Sequence, residues 1–353
     1  MKPFRFLPVV VLLISASCGN DNNAAPASTS PAVTTPETEV VLVTYSGYVL
    51  PEGPAKAFTA ATGITIKVVA VDDAGAALSR AIVSAGSPEG DVMFGVDSSL
   101  LTKATESGAF DPFEADGARG LAQTVRLDPT GQMTPIDEAN VCINYDAAWF
   151  ADKQITPPST FDDLVDPTLK GLTVLLNPAT SSPGLTFVAA VNTAKGADTS
   201  TYFDALRAND VSVVSSWSDG WDTRYTVNGG DRPIVLSYAS SPPAEVVYSS
   251  TGATEPMSRV ALGTCVRQVE FAAVLRGAAH PTAARRLIEE MLSPEWQAEL
   301  PLSNFVFPVV SDVPLPEVFT RFAAVPDDPI VLDPAVVGRE RDAWIDTWRN
   351  TFG

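Results

Sequence analysis

The chain has 353 residues, of which 45% are hydrophobic, with 42 acidic and 23 basic side chains and a formal net charge of −19. Such a negative surface argues against nucleic acid as a partner, because the phosphate backbone repels it. The length and hydrophobic content are sufficient for two core-forming lobes.

The first segment, residues 1–17, predicts an export signal: two basic residues precede an apolar stretch at 6–14, and small residues lead to Cys18. Small residues directly before a cysteine resemble the bacterial lipobox, so we expect Cys18 to carry a lipid. The alternative is a secreted protein with an unmodified cysteine near its signal. Residues 18–39 then comprise the lipidated cysteine and a flexible tether, rich in Asn, Ala, Pro, Ser and Thr.

The apolar stretch of the signal is too short to span a membrane as a helix. We therefore expect an exported protein, periplasmic or at the cell surface, that its lipid anchors at the outer face of the cytoplasmic membrane.

Two cysteines remain in the body, Cys142 and Cys265. In an exported chain they suggest a disulfide, with two buried thiols as the open alternative. The chain has one histidine, His280, which follows an alanine and precedes a proline at the start of a predicted helix. The sequence therefore predicts no metal site, and we expect no cofactor.

From residue 40 onward, apolar runs of strand length alternate with segments of helical spacing. The predicted strands are residues 40–45, 64–71, 91–96, 140–145, 172–176, 211–214, 233–238 and 269–275. The predicted helices are residues 55–62, 76–85, 98–107, 185–194, 202–208, 281–292, 294–299 and 334–351. This alternation is typical of α/β folds with parallel strands.

Three segments place aromatic rings or small hydroxyls at the ends of predicted strands, namely residues 177–184, 215–221 and 236–242. Strand ends of α/β sheets are where ligands bind. Within the first segment, Thr180, Ser181 and Ser182 precede a predicted helix, so their backbone N–H groups could bind an anion such as a phosphate. The structural alternative is that these hydroxyls only cap the helix, and that the aromatic residues belong to the core.

Seven fragments, in order and spacing, resemble the thiamine-binding periplasmic proteins. They are Val43-Thr-Tyr-Ser46, Val69-Ala-Val-Asp-Asp73, Asp91-Val-Met-Phe-Gly-Val-Asp97, Thr180-Ser-Ser-Pro-Gly184, Trp217-Ser-Asp219, Val235-Leu-Ser-Tyr238 with Ser241-Pro242, and Ser293-Pro-Glu-Trp296. The resemblance implies an α/β, two-lobed type II periplasmic-binding-protein fold with a ligand cleft between the lobes. It also implies lobe 1 at 40–142, lobe 2 at 143–238, and a return to lobe 1 with C-terminal helices at 239–353.

Carried over residue by residue, the resemblance implies that Tyr45 and Asp73 contact the ligand from the first lobe. It adds Ser181 with its neighbours Thr180 and Ser182, followed by Trp217 and Tyr238. Phe305 stands where the family favours Trp. Thiamine joins a permanent thiazolium cation to an aminopyrimidine, so these rings, together with Trp221, suit its cation and flat surfaces, and Asp73 suits its amine.

The resemblance implies a monomeric receptor that captures thiamine or thiamine phosphate and delivers it to an ABC permease, with cleft closure as the mechanism. Alternatives with the same fold are ferric-iron and polyamine receptors. The iron receptors typically present adjacent tyrosines, which this chain lacks. A secreted hydrolase is a further alternative, but the sequence predicts no catalytic residues, since the single histidine is accompanied by no Gly-x-Ser-x-Gly motif.

Overall fold

Ten strands and eleven α-helices make up most of residues 36–71 and 73–353, which are the residues that the computed structural model describes. The strands are β1 Glu39–Tyr45, β2 Thr65–Val71, β3 Val92–Asp97, β4 Phe110–Asp111, β5 Thr134–Asp146, β6 Thr173–Leu176, β7 Ser212–Val214, β8 Ile234–Tyr238, β9 Ser258–Leu275 and β10 Phe307–Pro308. The predicted signal, Cys18 and most of the tether lie outside the described residues.

The helices lie between these strands and after them. They are α1 Glu52–Thr62, α2 Ala74–Val83, α3 Leu101–Glu106, α4 Ala147–Lys153, α5 Ser182–Lys195, α6 Thr199–Ala208, α7 Pro242–Val247, α8 Pro281–Met291, α9 Pro294–Ser303, α10 Glu317–Phe322 and α11 Pro334–Phe352. Within the described ranges, none of them is both long and apolar enough to cross a membrane.

The strands form one sheet in the order β2-β1-β3-β9-β5-β8-β6-β7, with β10 beside β5 and β4 beside β9. Pairing is parallel at both ends of the sheet, between β1 and its neighbours β2 and β3, and between β6 and its neighbours β7 and β8. The two long strands in the middle, β5 and β9, pair antiparallel with each other and with the flanking strands β8 and β3. The central parallel strands β3 and β6 are buried along their whole length, which agrees with their near-continuous apolar sequence.

Two hydrophobic cores lie on either side of the middle of the sheet. The first includes Leu42 and Trp296, and the second includes Leu175 and Trp348. Both cores take residues from β5 and β9, which therefore cross from one lobe to the other. The fold is thus the two-lobed type II periplasmic-binding-protein fold that the resemblance implied, whereas the lobe boundaries at 142/143 and 238/239 stay predictions.

The structure corrects the lengths of both crossing strands. The sequence predicted residues 140–145 and 269–275, but β5 has 13 residues and β9 has 18. The first half of β9 has exposed positions and a glycine, Gly263, so its apolar pattern is interrupted. Short helices such as α4, α7 and α10 were also missed, because six or seven residues give too little periodicity.

The predicted tether, residues 18–39, extends too far toward the body. Glu39 begins β1, and the Glu37 carboxylate accepts hydrogen bonds from the backbone N–H groups of Thr282 and Ala283 in the first turn of α8. A carboxylate at this position is favourable because the first N–H groups of a helix have no partners within it. Packed structure therefore starts a few residues before Val40.

Candidate functional site

A cavity of about 440 Å³ opens where β1, β8 and the starts of α2 and α5 meet β9. Its volume falls in the range of roughly 300–1,000 Å³ that is typical of small-molecule sites. Tyr45 and Tyr238, the last residues of β1 and β8, both line it. The cavity thus lies at the carboxyl ends of strands, which is the expected place for a ligand in such a sheet.

Most of the ligand contacts predicted from the sequence border this one cavity. They are Tyr45, Asp73, Ser182, Trp217, Trp221, Tyr238 and Phe305. Thr180 and Ser181 do not line it. The Thr180 hydroxyl donates to the backbone oxygen of Ser215, 2.6 Å away, and Ser181 is buried at the N-cap of α5. Their hydroxyls face the protein rather than the cavity, and their contact with a ligand stays a prediction.

Two indole rings form one wall of the cavity. Trp217 and Trp221 stack with ring centroids 5.8 Å apart and planes 12° from parallel. The Trp217 indole Nε1 donates to the Ser237 hydroxyl at 2.9 Å, which fixes the orientation of the ring. Trp221 is 6% exposed and also packs against Tyr225. The wall therefore presents a rigid π face to a ligand, of the kind that suits stacking or a cation.

Tyr45 forms part of the opposite side. Its ring packs near those of Tyr48 and Phe94, and its hydroxyl donates to Glu270 Oε2 at 3.3 Å. Gly95 makes this position possible, because it has φ +104° and a Cβ atom there would lie 2.5 Å from the Tyr45 ring. Burial raises the pKa of the Tyr45 hydroxyl well above its usual value, as it does for Tyr238, so both phenols are neutral donors.

Asp73 caps a helix and also lines the cavity. Its Oδ1 accepts from the backbone N–H of Ala74 at 2.7 Å, which makes it the N-cap of α2, and the carboxyl also lies near the Ser181 hydroxyl and the backbone N–H groups of Ser182 and Trp217. Burial raises the pKa of this carboxyl, although these hydrogen-bond donors lower it in part. Because Asp73 lines the cavity and a carboxylate can accept several hydrogen bonds, it can also accept one from a ligand donor.

Glu270 and Gln268, both on β9, line the cavity and were not predicted from the sequence. Gln268 donates through its side-chain amide to the buried Asp97 carboxylate. Glu270 is 7% exposed, and burial together with Asp137 raises its pKa well above the usual value. The available signal was a single acidic residue inside the apolar run 269–275.

The charged side chains among the described residues that line the cavity are all acidic. Asp73, Asp222 and Glu270 border the cavity, and the described residues that line it include no Lys, Arg or His. Aromatic faces combined with carboxylates and no basic group favour a flat cation over an anion. In residues 36–71 and 73–353, no group of three or more His, Cys, Asp or Glu side chains is arranged to hold a metal ion.

Cys142 and Cys265 form a disulfide that joins β5 to β9, with Cα atoms 4.3 Å apart. It lies beside an irregularity in the register between Val141 and Ile143. The bond is buried in a small apolar cluster and is not part of the cavity lining.

Comparison with known proteins supports this description. A family model described as bacterial extracellular solute-binding protein matches residues 54–327. The thiamine-binding periplasmic protein of Salmonella typhimurium is 27% identical over 359 residues, covering 98% of each chain. The resemblance noted from the sequence is confirmed at that level.

Two solved structures have the same architecture. A periplasmic thiamin binding protein superposes with a TM-score of 0.77 at 25% identity and covers 92% of this chain and 99% of its own. Iron-bound HitA from Pseudomonas aeruginosa superposes with a TM-score of 0.70 at 22% identity, covering 89% and 99% respectively. The second likeness concerns the fold alone.

Proposed function

The chain belongs to the bacterial extracellular solute-binding protein family, and from that premise we propose that it captures thiamine outside the cytoplasmic membrane and delivers it to an ABC import permease. Members of this family bind solutes, which supports a binding role for the cavity. The relatives named for thiamine cover nearly the whole chain, which supports the choice of ligand.

One observation carries the proposal: the cavity combines aromatic faces with carboxylates and has no basic side chain among the described residues that line it. The stacked pair Trp217 and Trp221 suits the aminopyrimidine or the thiazolium ring. Asp73 lines the cavity and suits the exocyclic amine as an acceptor. Glu270 supplies negative charge near the thiazolium cation.

The lining favours unphosphorylated thiamine among its three forms. A phosphate would be expected near Thr180 to Ser182, at the start of α5, but the Thr180 hydroxyl is bonded to Ser215 and Asp73 lies close by. No Lys or Arg of the described chain lines the cavity to compensate a phosphate charge. Each added phosphate should therefore weaken binding.

The cavity takes residues associated with both cores, which supports capture by cleft closure. Tyr45 packs against the first core, Trp217 against the second and Tyr238 against both. A ligand that contacts all three stabilises the closed form relative to the open one, because only the closed form offers every contact at once.

We further propose that the mature protein is a lipoprotein attached through Cys18. The support is the sequence alone, in which small residues precede Cys18 at the end of the signal. Metabolic labelling with a fatty acid tests it: label on the native protein and none on Cys18→Ser supports attachment, and no label on either contradicts it.

The proposed ligand is tested by isothermal titration of the purified protein, unfolded and refolded to remove carried-over ligand. Thiamine, its monophosphate, its pyrophosphate, ferric citrate and spermidine are titrated in parallel. One-to-one binding of thiamine, tighter than either phosphate, supports the proposal. Heat from ferric citrate or spermidine and none from thiamine would move the function to an iron or polyamine receptor of the same fold.

A further inference from the structure

Three carboxyl groups stand side by side beneath the cavity. Asp97 on β3 and Asp137 on β5 are both direct register partners of Glu270 on β9, which lies between these two strands. Directly paired residues project to the same face of a sheet, with Cβ atoms about 4.5–5.5 Å apart. We call Asp97, Glu270 and Asp137 the carboxyl row. Its middle member, Glu270, lines the cavity.

The three members differ in their hydrogen bonds. Asp97 accepts from the backbone N–H and the hydroxyl of Ser99 at 2.7 and 2.6 Å, and also from Ser182 and Gln268. Glu270 accepts one bond, from Tyr45. Asp137 is 1% exposed, and neither of its carboxyl oxygens has a hydrogen-bond partner among the residues that the structure describes. The row therefore places the buried carboxyl of Asp137 next to the carboxyl of Glu270, which lines the cavity.

No positive charge balances the row within the described part of the chain. Arg267, the basic residue nearest along β9, pairs instead with Glu138 at 2.6 Å, and Glu138 points to the other face because it is adjacent to Asp137 on the strand. The groups that face Glu270 from other elements are acidic or phenolic. They are Tyr45, Tyr48, Asp73, Asp97, Asp137 and Tyr238.

Unbalanced buried carboxylates bind protons, since a charge without a partner is costly in a low-dielectric interior. Burial and the neighbouring carboxyls raise the pKa of Glu270 well above its usual value. Burial, with a contribution from Glu138, raises the pKa of Asp137 to about 8. In the ligand-free protein at neutral pH, the row is therefore partly protonated.

We propose that the carboxyl row carries a proton in the empty receptor and that Glu270 releases a proton to solvent when a cationic ligand enters, so that the receptor exchanges a proton for its cation. This inference rests on the proposed function and adds the charge requirement of the ligand. The O–H bond of Glu270 breaks, its electron pair stays on the carboxylate, and water or buffer takes the proton. The row thereby selects a ligand with a permanent positive charge.

Proton release is measured directly by titrating thiamine into the protein at pH 7 in two buffers of different ionisation enthalpy, phosphate and Tris. We expect the observed heats to differ by about one released proton per bound thiamine, and the affinity to rise with pH by up to about tenfold per unit over the range in which Glu270 is protonated in the free receptor. Equal heats in both buffers with tight binding would overturn this inference and leave the proposed function standing. Absence of thiamine binding would overturn both.

One variant and one control identify the residue that releases the proton. Glu270→Gln is expected to bind thiamine at least about tenfold more weakly, without a difference between buffers. Asp327→Asn removes an exposed carboxylate away from the cavity lining, and should release as many protons as the native protein. If Glu270→Gln still released the proton, Glu270 would not be its source.

Asp137→Asn provides a test that does not depend on loss of binding. Removing the neighbouring carboxyl lowers the pKa of Glu270, because a source of like charge is gone. The pH at which affinity reaches half of its maximal change should therefore move downward. An unchanged midpoint in a folded Asp137→Asn protein would contradict the coupling within the row.

Discussion

The Tyr248 ring meets the Phe305 ring in an edge-to-face contact at the border of the cavity, with centroids 5.6 Å apart. Tyr248 follows α7 and is 65% exposed, whereas Phe305 follows α9 and has φ +54°. A bulky residue in this left-handed region is strained, and such strain is often found at functional sites. The contact therefore holds the Phe305 ring at the border of the cavity, and the left-handed backbone at this residue lowers the stability of the fold.

The strain at Phe305 predicts different effects on binding and stability. Phe305→Ala and Phe305→Gly both remove the ring, so each should weaken thiamine binding by about 1–3 kcal/mol. Glycine tolerates positive φ, so Phe305→Gly should be more stable to urea than Phe305→Ala by roughly 1 kcal/mol. Calorimetry and urea unfolding measure the two effects. The reverse order of stabilities would show that the backbone at 305 is not strained.

The stacked indoles predict a large loss when Trp217 is truncated. Trp217→Ala removes one face of the wall and should weaken thiamine binding by about 1–3 kcal/mol. Trp217→Phe keeps an aromatic face but loses the hydrogen bond to Ser237, so a smaller loss is expected. Binding is measured by the quenching of tryptophan fluorescence. Trp149→Phe removes an indole that does not line the cavity, and serves as the control. Equal affinity of Trp217→Ala and native protein would remove this residue from the site.

The buried carboxyls predict that the ligand-free protein becomes less stable as pH rises. A carboxyl whose pKa is raised by folding holds more protons in the folded than in the unfolded state, so the free energy of unfolding falls with pH between the two pKa values. For Asp137 the window extends from about pH 4 to about pH 8. Urea unfolding at a series of pH values measures the slope.

Asp137→Asn should flatten that slope and raise the free energy of unfolding at pH 8 by about 1–3 kcal/mol. Asp327→Asn changes an exposed residue of the same type and should keep the native slope. A native protein that is more stable at pH 8 than at pH 5 would contradict the assignment of raised pKa values to the buried carboxyls.

The disulfide predicts a redox-dependent stability. It closes a loop with a sequence separation of 123 residues, so replacing Cys142 and Cys265 by Ser together should lower the free energy of unfolding by about 2–4 kcal/mol. Reductant should destabilise the native protein to a similar extent and leave the double variant unchanged. A native protein insensitive to reductant under conditions where the thiols are shown to be free would contradict the prediction.

Much of the candidate site could be predicted because parallel strands bring their carboxyl ends to one edge. Tyr45 ends β1 and Tyr238 ends β8, and Asp73 and Ser182 begin the helices after β2 and β6, so strand-end motifs identify them. The side on which a hydroxyl lies could not be predicted in the same way. Thr180 turns toward Ser215 because a backbone oxygen from a distant segment is within reach.

The carboxyl row could not be predicted from the sequence for a different reason. Asp97 and Asp137 are both distant from Glu270 in sequence. The pairing of Asp97 with Glu270 follows a register shift between Phe94 and Val96, and that of Asp137 with Glu270 follows one between Pro135 and Asp137. A shift of one residue would turn the Glu270 side chain to the opposite face of the sheet. The hydrophobic pattern predicts a strand at residues 269–275, but it does not predict the register of that strand with its neighbours.

The disulfide between β5 and β9 also limits how the two lobes can move. On β5, Ala139 belongs to the first core and Val141 to the second, and on β9 the change occurs between Val269 and Val266. The bond pins the two strands together next to this transition, so they cannot slide along each other there. We therefore expect opening of the proposed cleft to be confined to bending and twisting of a few backbone bonds in each strand, around a disulfide that does not itself line the cavity.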